Sequence, residues 1–173
     1  MPLRVFFSLW PAPDLQRDLH DLATQLQAEC GGRILRAETL HLTLAFIAAL
    51  PDQQLEQLYA IAATLASAAF DWHIDQVGYW RHSHIVWANA SQPPAALFTL
   101  ANMLHAELSA AGIAFDASKS FAPHISLLRD VRCPPQRQVF APLSWSVREF
   151  ALVLSEAQGS GMNYRVLRRW VLV

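Results

Sequence analysis

Two periodicities divide this chain into short elements. Apolar positions run strand-like along residues 4–10 until Pro11-Ala12-Pro13 halts them. Leu15, Leu19, Leu22 and Leu26 then recur at helical spacing, predicting an amphipathic helix over residues 14–30 that opens beside a proline and stops at Gly31-Gly32. A strand around His41 follows. Pro51 opens a second helix to about residue 67, striped by Leu55, Leu58, Ile61 and Leu65, and residues 70–80 read as a strand. The pattern then recurs. A strand over 84–90 leads to a helix opened by Pro93-Pro94 and lined by Leu97, Leu100, Leu104 and Leu108. Gly112 ends that helix, a strand around His124 follows, and a further strand covers 145–156. The reading is six or seven strands and three helices.

Strand, proline-opened helix, glycine stop, histidine strand: this order occurs twice. Chain order assigns residues 70–80 to the first half and 145–156 to the second. A pseudo-twofold pair of lobes built this way brings the two histidine strands together across a cleft.

Each histidine opens the same four-residue pattern, His-apolar-hydroxyl-apolar. The copies are His41-Leu42-Thr43-Leu44 and His124-Ile125-Ser126-Leu127. With seven histidines in the chain, roughly 0.2 matches are expected by chance, so a second copy calls for a reason. Side chains alternate along a strand, so His41 shares a face with Thr43, and His124 with Ser126, while Leu42 and Ile125 point into a core. Two such strands facing each other present two proton-transfer groups and two hydrogen-bond donors to one small space. Imidazole titrates near neutrality and can serve as base or acid, and the hydroxyls can donate to the non-bridging oxygens of a phosphate. Such a set can split a phosphoester with no metal or other cofactor.

Composition adjusts this picture in few places. At 173 residues, 53% apolar and 16% charged, residues 1–173 are expected to form one domain with an ample core. The net charge of −1 gives no whole-molecule attraction for nucleic acid, so any polyanion contact must be local. Arg129, Arg132, Arg137, Arg148, Arg165, Arg168 and Arg169 concentrate basic charge in the last quarter, where most read as solvated strand and loop positions. Cys30 and Cys133 form no disulfide or metal framework. Met1-Pro2-Leu3-Arg4 runs straight into Val5-Phe6-Phe7 without a secretory pattern, and no stretch reaches membrane-span length. The expectation is a reduced, soluble, cytoplasmic monomer with no membrane contact.

The chain resembles the two-histidine (2H) phosphoesterase superfamily, and within it the bacterial RNA 2′,3′-cyclic phosphodiesterases, historically called 2′-5′ RNA ligases. The resemblance is carried by Val5-Phe6-Phe7, the LHLTLAF run at 40–46, Leu100-Ala-Asn-Met-Leu104, the FAPHISLLRD run at 121–130, and residues 164–170. It implies an α+β fold of two lobes, each an antiparallel sheet, with flanking helices around a central cleft. It also implies that His41 and His124 are catalytic and that Thr43 and Ser126 hold phosphate oxygens. His124 would activate water and His41 would protonate the leaving 3′ oxygen. The implied partners are RNA ends or nucleotides bearing a 2′,3′-cyclic phosphate, with 2′-5′ ligation as a possible reverse reaction. Ser126 stands where the family more often has threonine, and keeps the hydroxyl. Two rival readings remain at this point: the same chemistry on small cyclic nucleotides, and a non-catalytic binder of RNA ends.

Arg129 matches the family pattern as a substrate-binding residue with a guanidinium fork suited to phosphate oxygens. Strict alternation places it opposite His124, so the strand must end or twist near Leu128 for Arg129 to reach the site. Phe46 meets the same obstacle, falling on the face away from His41 and Thr43, and reads equally as a core residue or a base-stacking platform. Trp80 and Arg81 are expected in a hairpin turn, where they could stack on a base, although a Trp at a strand end more often packs at the rim, and neither is assigned to the site. His82-Ser83-His84 has the spacing of two ligands on a strand but reads as a turn-and-strand surface pair, without the companions of a metal site. No special role is expected for His20, His73 or His105.

Overall fold

Proline and glycine mark element ends in the computed structural model, which describes residues 2–117, 120–136, 139–159 and 161–173. Arg137 of the basic group lies outside the described residues. In chain order the elements are β1 (Leu3–Leu9), α1 (Pro13–Cys30), β2 (Arg33–Ile34), β3 (Leu42–Leu50), α2 (Leu55–Thr64) and β4 (Phe70–Trp80). There follow β5 (Ile85–Asn89), α3 (Ala95–Ala110), β6 (Ile125–Arg129), β7 (Val139–Val147), β8 (Glu149–Gln158) and β9 (Gly161–Val171). Pro13 begins α1, where its missing N–H costs nothing. Gly31 ends that helix at φ +68°, a backbone state that suits a residue without Cβ, and its N–H bonds the Gln27 carbonyl at 2.8 Å. Among the described residues no helix is long and apolar enough to cross a membrane.

The strands join in one antiparallel sheet of order β7-β4-β5-β6-β3-β1-β8-β9, with β2 added to β6. It has two halves. His41 leads into β3, which belongs with β1, β8 and β9; His124 leads into β6, which belongs with β5, β4 and β7. The halves meet where β3 and β6 pair through Leu42 opposite Ile125. Each half is covered by a helix that the other half's strands deliver. α1 follows β1 in the chain yet packs on β2, β6 and β7, while α3 connects β5 to β6 yet packs on β3 and α2. This exchange fuses the apolar faces of both halves into one core, from Leu19 and Leu26 of α1 to Leu100 and Leu104 of α3.

The α+β architecture with two antiparallel lobes agrees with expectation; the distribution of late strands does not. β4 leaves the His41 half and joins the His124 half, and β8 does the reverse. The single strand expected over 145–156 is two strands, and nine strands form among the described residues. β7 pairs with β4, ending at Val147 opposite Phe70, and β8 turns away to pair with β1. Arg148 sits at the corner, donating to the Phe70 and Val147 carbonyls at 3.1 Å each and to Asp71 at 2.9 Å. Apolar residues continue on both sides of this corner, so periodicity alone runs across it.

Both histidine strands carry a bulge at the same place. In β3, Ser8 pairs with Thr43 and Phe7 with Ala45, leaving Leu44 without a partner. In β6, Trp87 pairs with Ser126 and Val86 with Leu128, leaving Leu127 without one in that ladder. The extra residue resets alternation, so Leu44 and Ala45, and likewise Leu127 and Leu128, are buried in succession.

The ladder beyond β6 depends on a notch. Gly78 lies opposite Trp87, and a Cβ there would come within 2.1 Å of the indole. Gly78→Ala is therefore expected to lower stability by about 1–3 kcal/mol through overpacking. Trp87→Val should relieve most of that penalty in the double variant. Denaturant melts of the four proteins in this cycle check it, and additive losses would show that the notch does not serve Trp87.

Candidate active site

The paired Leu42 and Ile125 point into the core, both 0% exposed, so their neighbours emerge on the other face. Carrying the antiparallel register one residue each way sets His41 beside Ser126 and Thr43 beside His124. The four side chains named from the sequence thus form one patch at the seam between the halves. Neither histidine lies within its strand: His41 and His124 are the residues immediately before β3 and β6. Each ring is anchored the same way. Nδ1 of His41 donates to the Thr39 carbonyl at 2.6 Å, and Nδ1 of His124 donates to the Ala122 carbonyl at 2.8 Å. That bond sets the tautomer in both, leaving Nε2 as the nitrogen free to take or give a proton. No described residue hydrogen-bonds the Thr43 or Ser126 hydroxyl, so both remain available to a ligand.

Aromatic rings fix the imidazoles from the side. His41 stacks on Phe6 at 4.8 Å and lies parallel to Trp10 at 5.0 Å, while Tyr164 meets its edge at 5.4 Å. Trp80 meets His124 edge-on at 4.4 Å and touches Trp87 at 5.7 Å. Sequence reasoning missed Phe6, Trp10 and Tyr164 as parts of the site and left Trp80 uncommitted. One signal was legible: Phe6 and Ser8 share a face of β1, Trp10 follows at the same alternation just past its end, and Ser8 pairs with Thr43. Tyr164 had no such signal, because it reaches His41 only through the pairing of β9 with β8 and β8 with β1.

The bulges resolve both parity obstacles. After the unpaired Leu44, Phe46 pairs with Phe6 and returns to the face of Thr43, where it joins an apolar cluster with Phe6 and Tyr164. Arg4 lies over the Phe46 ring at 4.8 Å. After the unpaired Leu127, Arg129 likewise returns to the face of Ser126 and stands exposed. Its charge acts on His41 across the seam. Phe46 and Arg129 are therefore corresponding positions of the two halves, one apolar and one cationic.

Burial dominates the electrostatics. It pushes His41 down to about 4, against a weaker upward pull from the Thr39 carbonyl, with His124 and Arg129 adding to the depression. Burial lowers His124 as well, opposed by the Ala122 carbonyl. Both rings are neutral at pH 7 in the unliganded protein, and an anion between them would favour the return of a proton. The patch can thus accept a proton on one side of a phosphorus, deliver one on the other, and donate hydrogen bonds to the oxygens between. Elsewhere, Nδ1 of His84 pairs with the Tyr79 hydroxyl at 3.1 Å, and His82 and His84 occupy the β4–β5 turn. No three His, Cys, Asp or Glu side chains gather as a metal site among the described residues.

Comparison with known proteins bears on the family and the fold. A family profile described as LigT like Phosphoesterase matches residues 9–87. The RNA 2′,3′-cyclic phosphodiesterase of Escherichia coli (strain K12) is 35% identical over 176 residues, covering 99% of this chain and 97% of the relative. The protein of that description from Thermus thermophilus is 29% identical over 98% of this chain and 90% of its own length. Among solved structures, E. coli LigT in apo form superposes with a TM-score of 0.89 at 30% identity, covering 99% of this chain and 98% of that one.

The lowered imidazoles carry a stability consequence. A group whose folded pKa is depressed contributes stability that is present above its unfolded value, here 6.5, and lost as pH falls toward about 4. The melting temperature should fall across that window. His41→Phe, which keeps a ring but cannot titrate, should flatten the slope. Melts at half-unit pH steps test this, and parallel curves for the two proteins would contradict it.

Proposed function

Because the chain belongs to the LigT-like phosphoesterases of the 2H superfamily, we propose that it hydrolyses RNA 2′,3′-cyclic phosphate ends to 2′-phosphates by acid–base catalysis between His41 and His124. The observation that carries the reading is the pair of imidazoles, anchored alike through Nδ1, beside two hydroxyls that no described residue engages. Similar proteins support it: the curated relatives are RNA 2′,3′-cyclic phosphodiesterases, and a crystal structure of E. coli LigT holds 3′-AMP.

In the proposed reaction Nε2 of His124 takes a proton from water as its oxygen attacks phosphorus. The bond from phosphorus to the 3′ oxygen breaks, and Nε2 of His41 protonates that oxygen. Thr43 and Ser126 donate to the non-bridging oxygens, and Arg129 offers its fork to the same charge. The same step with a 5′-hydroxyl in place of water as the attacking group would join two ends through a 2′-5′ link. One observation favours a second reading, with the roles of the histidines exchanged: burial and Arg129 both disfavour a proton on His41. Under either assignment His41 and His124 act as one unit, and no metal is required.

Removing either imidazole should cost ~10²–10⁴-fold in turnover of a cyclic-ended oligonucleotide, with the double variant little worse than either single one. Thr43→Ala and Ser126→Ala should cost less. Because both rings are depressed in the free protein, the bell-shaped profile of kcat/KM should peak on the acid side of 6.5. End-group analysis should find a 2′-phosphate; a 3′-phosphate would mean the substrate binds with its ester oxygens exchanged. A substrate with sulfur at the leaving 3′ position separates the roles, since a thiolate leaves without an acid. It should rescue His41→Ala and not His124→Ala; the opposite result would assign the acid to His124. Full turnover without both imidazoles would overturn the phosphodiesterase reading, and comparison of a cyclic mononucleotide with an oligonucleotide would rank the substrates.

A further inference from the structure

We infer that His105 is a positioning residue that holds the two histidine motifs at their working separation; this rests on the reading of both motifs as one reaction centre. His105 lies on α3, far from the imidazoles in sequence, and its Nε2 donates to the Leu44 carbonyl at 2.7 Å. Leu44 is the unpaired bulge residue of β3, three positions after His41. The same ring packs on Phe115 at 4.8 Å and meets Phe121 edge-on at 6.1 Å. Phe121 immediately precedes Ala122, whose carbonyl anchors His124. One side chain thus touches the bulge behind the first motif and the segment that sets the tautomer of the second.

The two halves show why a side chain is needed there. Leu127 corresponds to Leu44, being the bulge residue three positions after His124. Its carbonyl accepts the Leu35 N–H at 3.0 Å, just beyond the short strand β2 that borders β6. Among the described residues nothing equivalent to β2 borders β3, whose contact with β6 is the pair Leu42–Ile125. The β3 edge carbonyls past that point are met instead by His105 at Leu44 and by the Asp116 N–H, 2.9 Å from the Phe46 carbonyl. The His41 half therefore replaces a backbone ladder with a side-chain donor, at the point where the strands part. Loss of that donor frees the bulge to shift, and near-attack geometry tolerates little shift between acid and base.

Steady-state kinetics on a cyclic-phosphate-ended oligonucleotide, run well below each melting temperature, test this with three variants. The amide nitrogen of glutamine in His105→Gln reaches as far as Nε2, whereas that of asparagine in His105→Asn stops near Nδ1, and His105→Leu has no donor. His105→Gln is expected to keep kcat within about threefold of wild type. The asparagine and leucine variants should lose kcat ~10-fold or more, with KM changed by less than about threefold. Lower melting temperatures with unchanged kcat would show a structural role and overturn the inference. So would a glutamine variant as slow as the leucine one, or a loss confined to KM. A wild-type protein that turns over no cyclic phosphate overturns the parent reading and this inference with it; an active wild type with indifferent variants overturns this inference alone.

Discussion

Leu42 opposite Ile125 is the pairing through which β3 meets β6, and the placement of each candidate catalytic group follows from it. Both residues are fully buried, which turns the residues before and after them to the opposite face. His41, Thr43, His124 and Ser126 are those residues. An antiparallel register also gives the patch its diagonal arrangement, each imidazole next to the hydroxyl of the other strand. A slip of one residue in either strand would turn that strand's histidine and hydroxyl toward the core. The seam is narrow, but burial on one side and function on the other leave it a single workable register.

So narrow a seam needs support from elsewhere, and the helices supply it. Because α1 and α3 each cover the half opposite the strand that precedes them, separating the halves would expose the apolar surface of both. The bulges at Leu44 and Leu127 add a second layer of control. Each re-aims the strand after its hydroxyl, bringing Phe46 in one half and Arg129 in the other to the working face. The halves match in backbone and differ in chemistry at this position. That asymmetry suits a substrate with a flat base at one end and a charged phosphate at the other.

The same packing that locks the imidazoles sets their protonation. Rings of Phe6, Trp10 and Tyr164 around His41 leave little water to stabilise an imidazolium. Arg129 adds to that effect across the seam, disfavouring a proton on His41. Both rings are therefore held neutral in the unliganded site, and an anion bound between them would favour a proton on one.

Local periodicity was enough to locate the three helices, six of the strands and the four motif residues, because face-sharing along an element depends only on near neighbours. The helices over Leu15 to Leu26 and Leu97 to Leu108 were legible for the same reason. The corner at Arg148 was not, since apolar alternation continues through it and only long-range pairing decides that β7 joins β4 while β8 joins β1. Nor were the faces of Phe46 and Arg129: a bulge exists only relative to a partner strand, and no single strand records it. The aromatic cage of His41 and the reach of His105 to Leu44 belong to the same class. The chemistry-bearing residues were thus determined by the sequence itself, as repeated short patterns. Their separation, protonation and surroundings were decided by contacts between segments far apart in the chain, which only the folded sheet brings together.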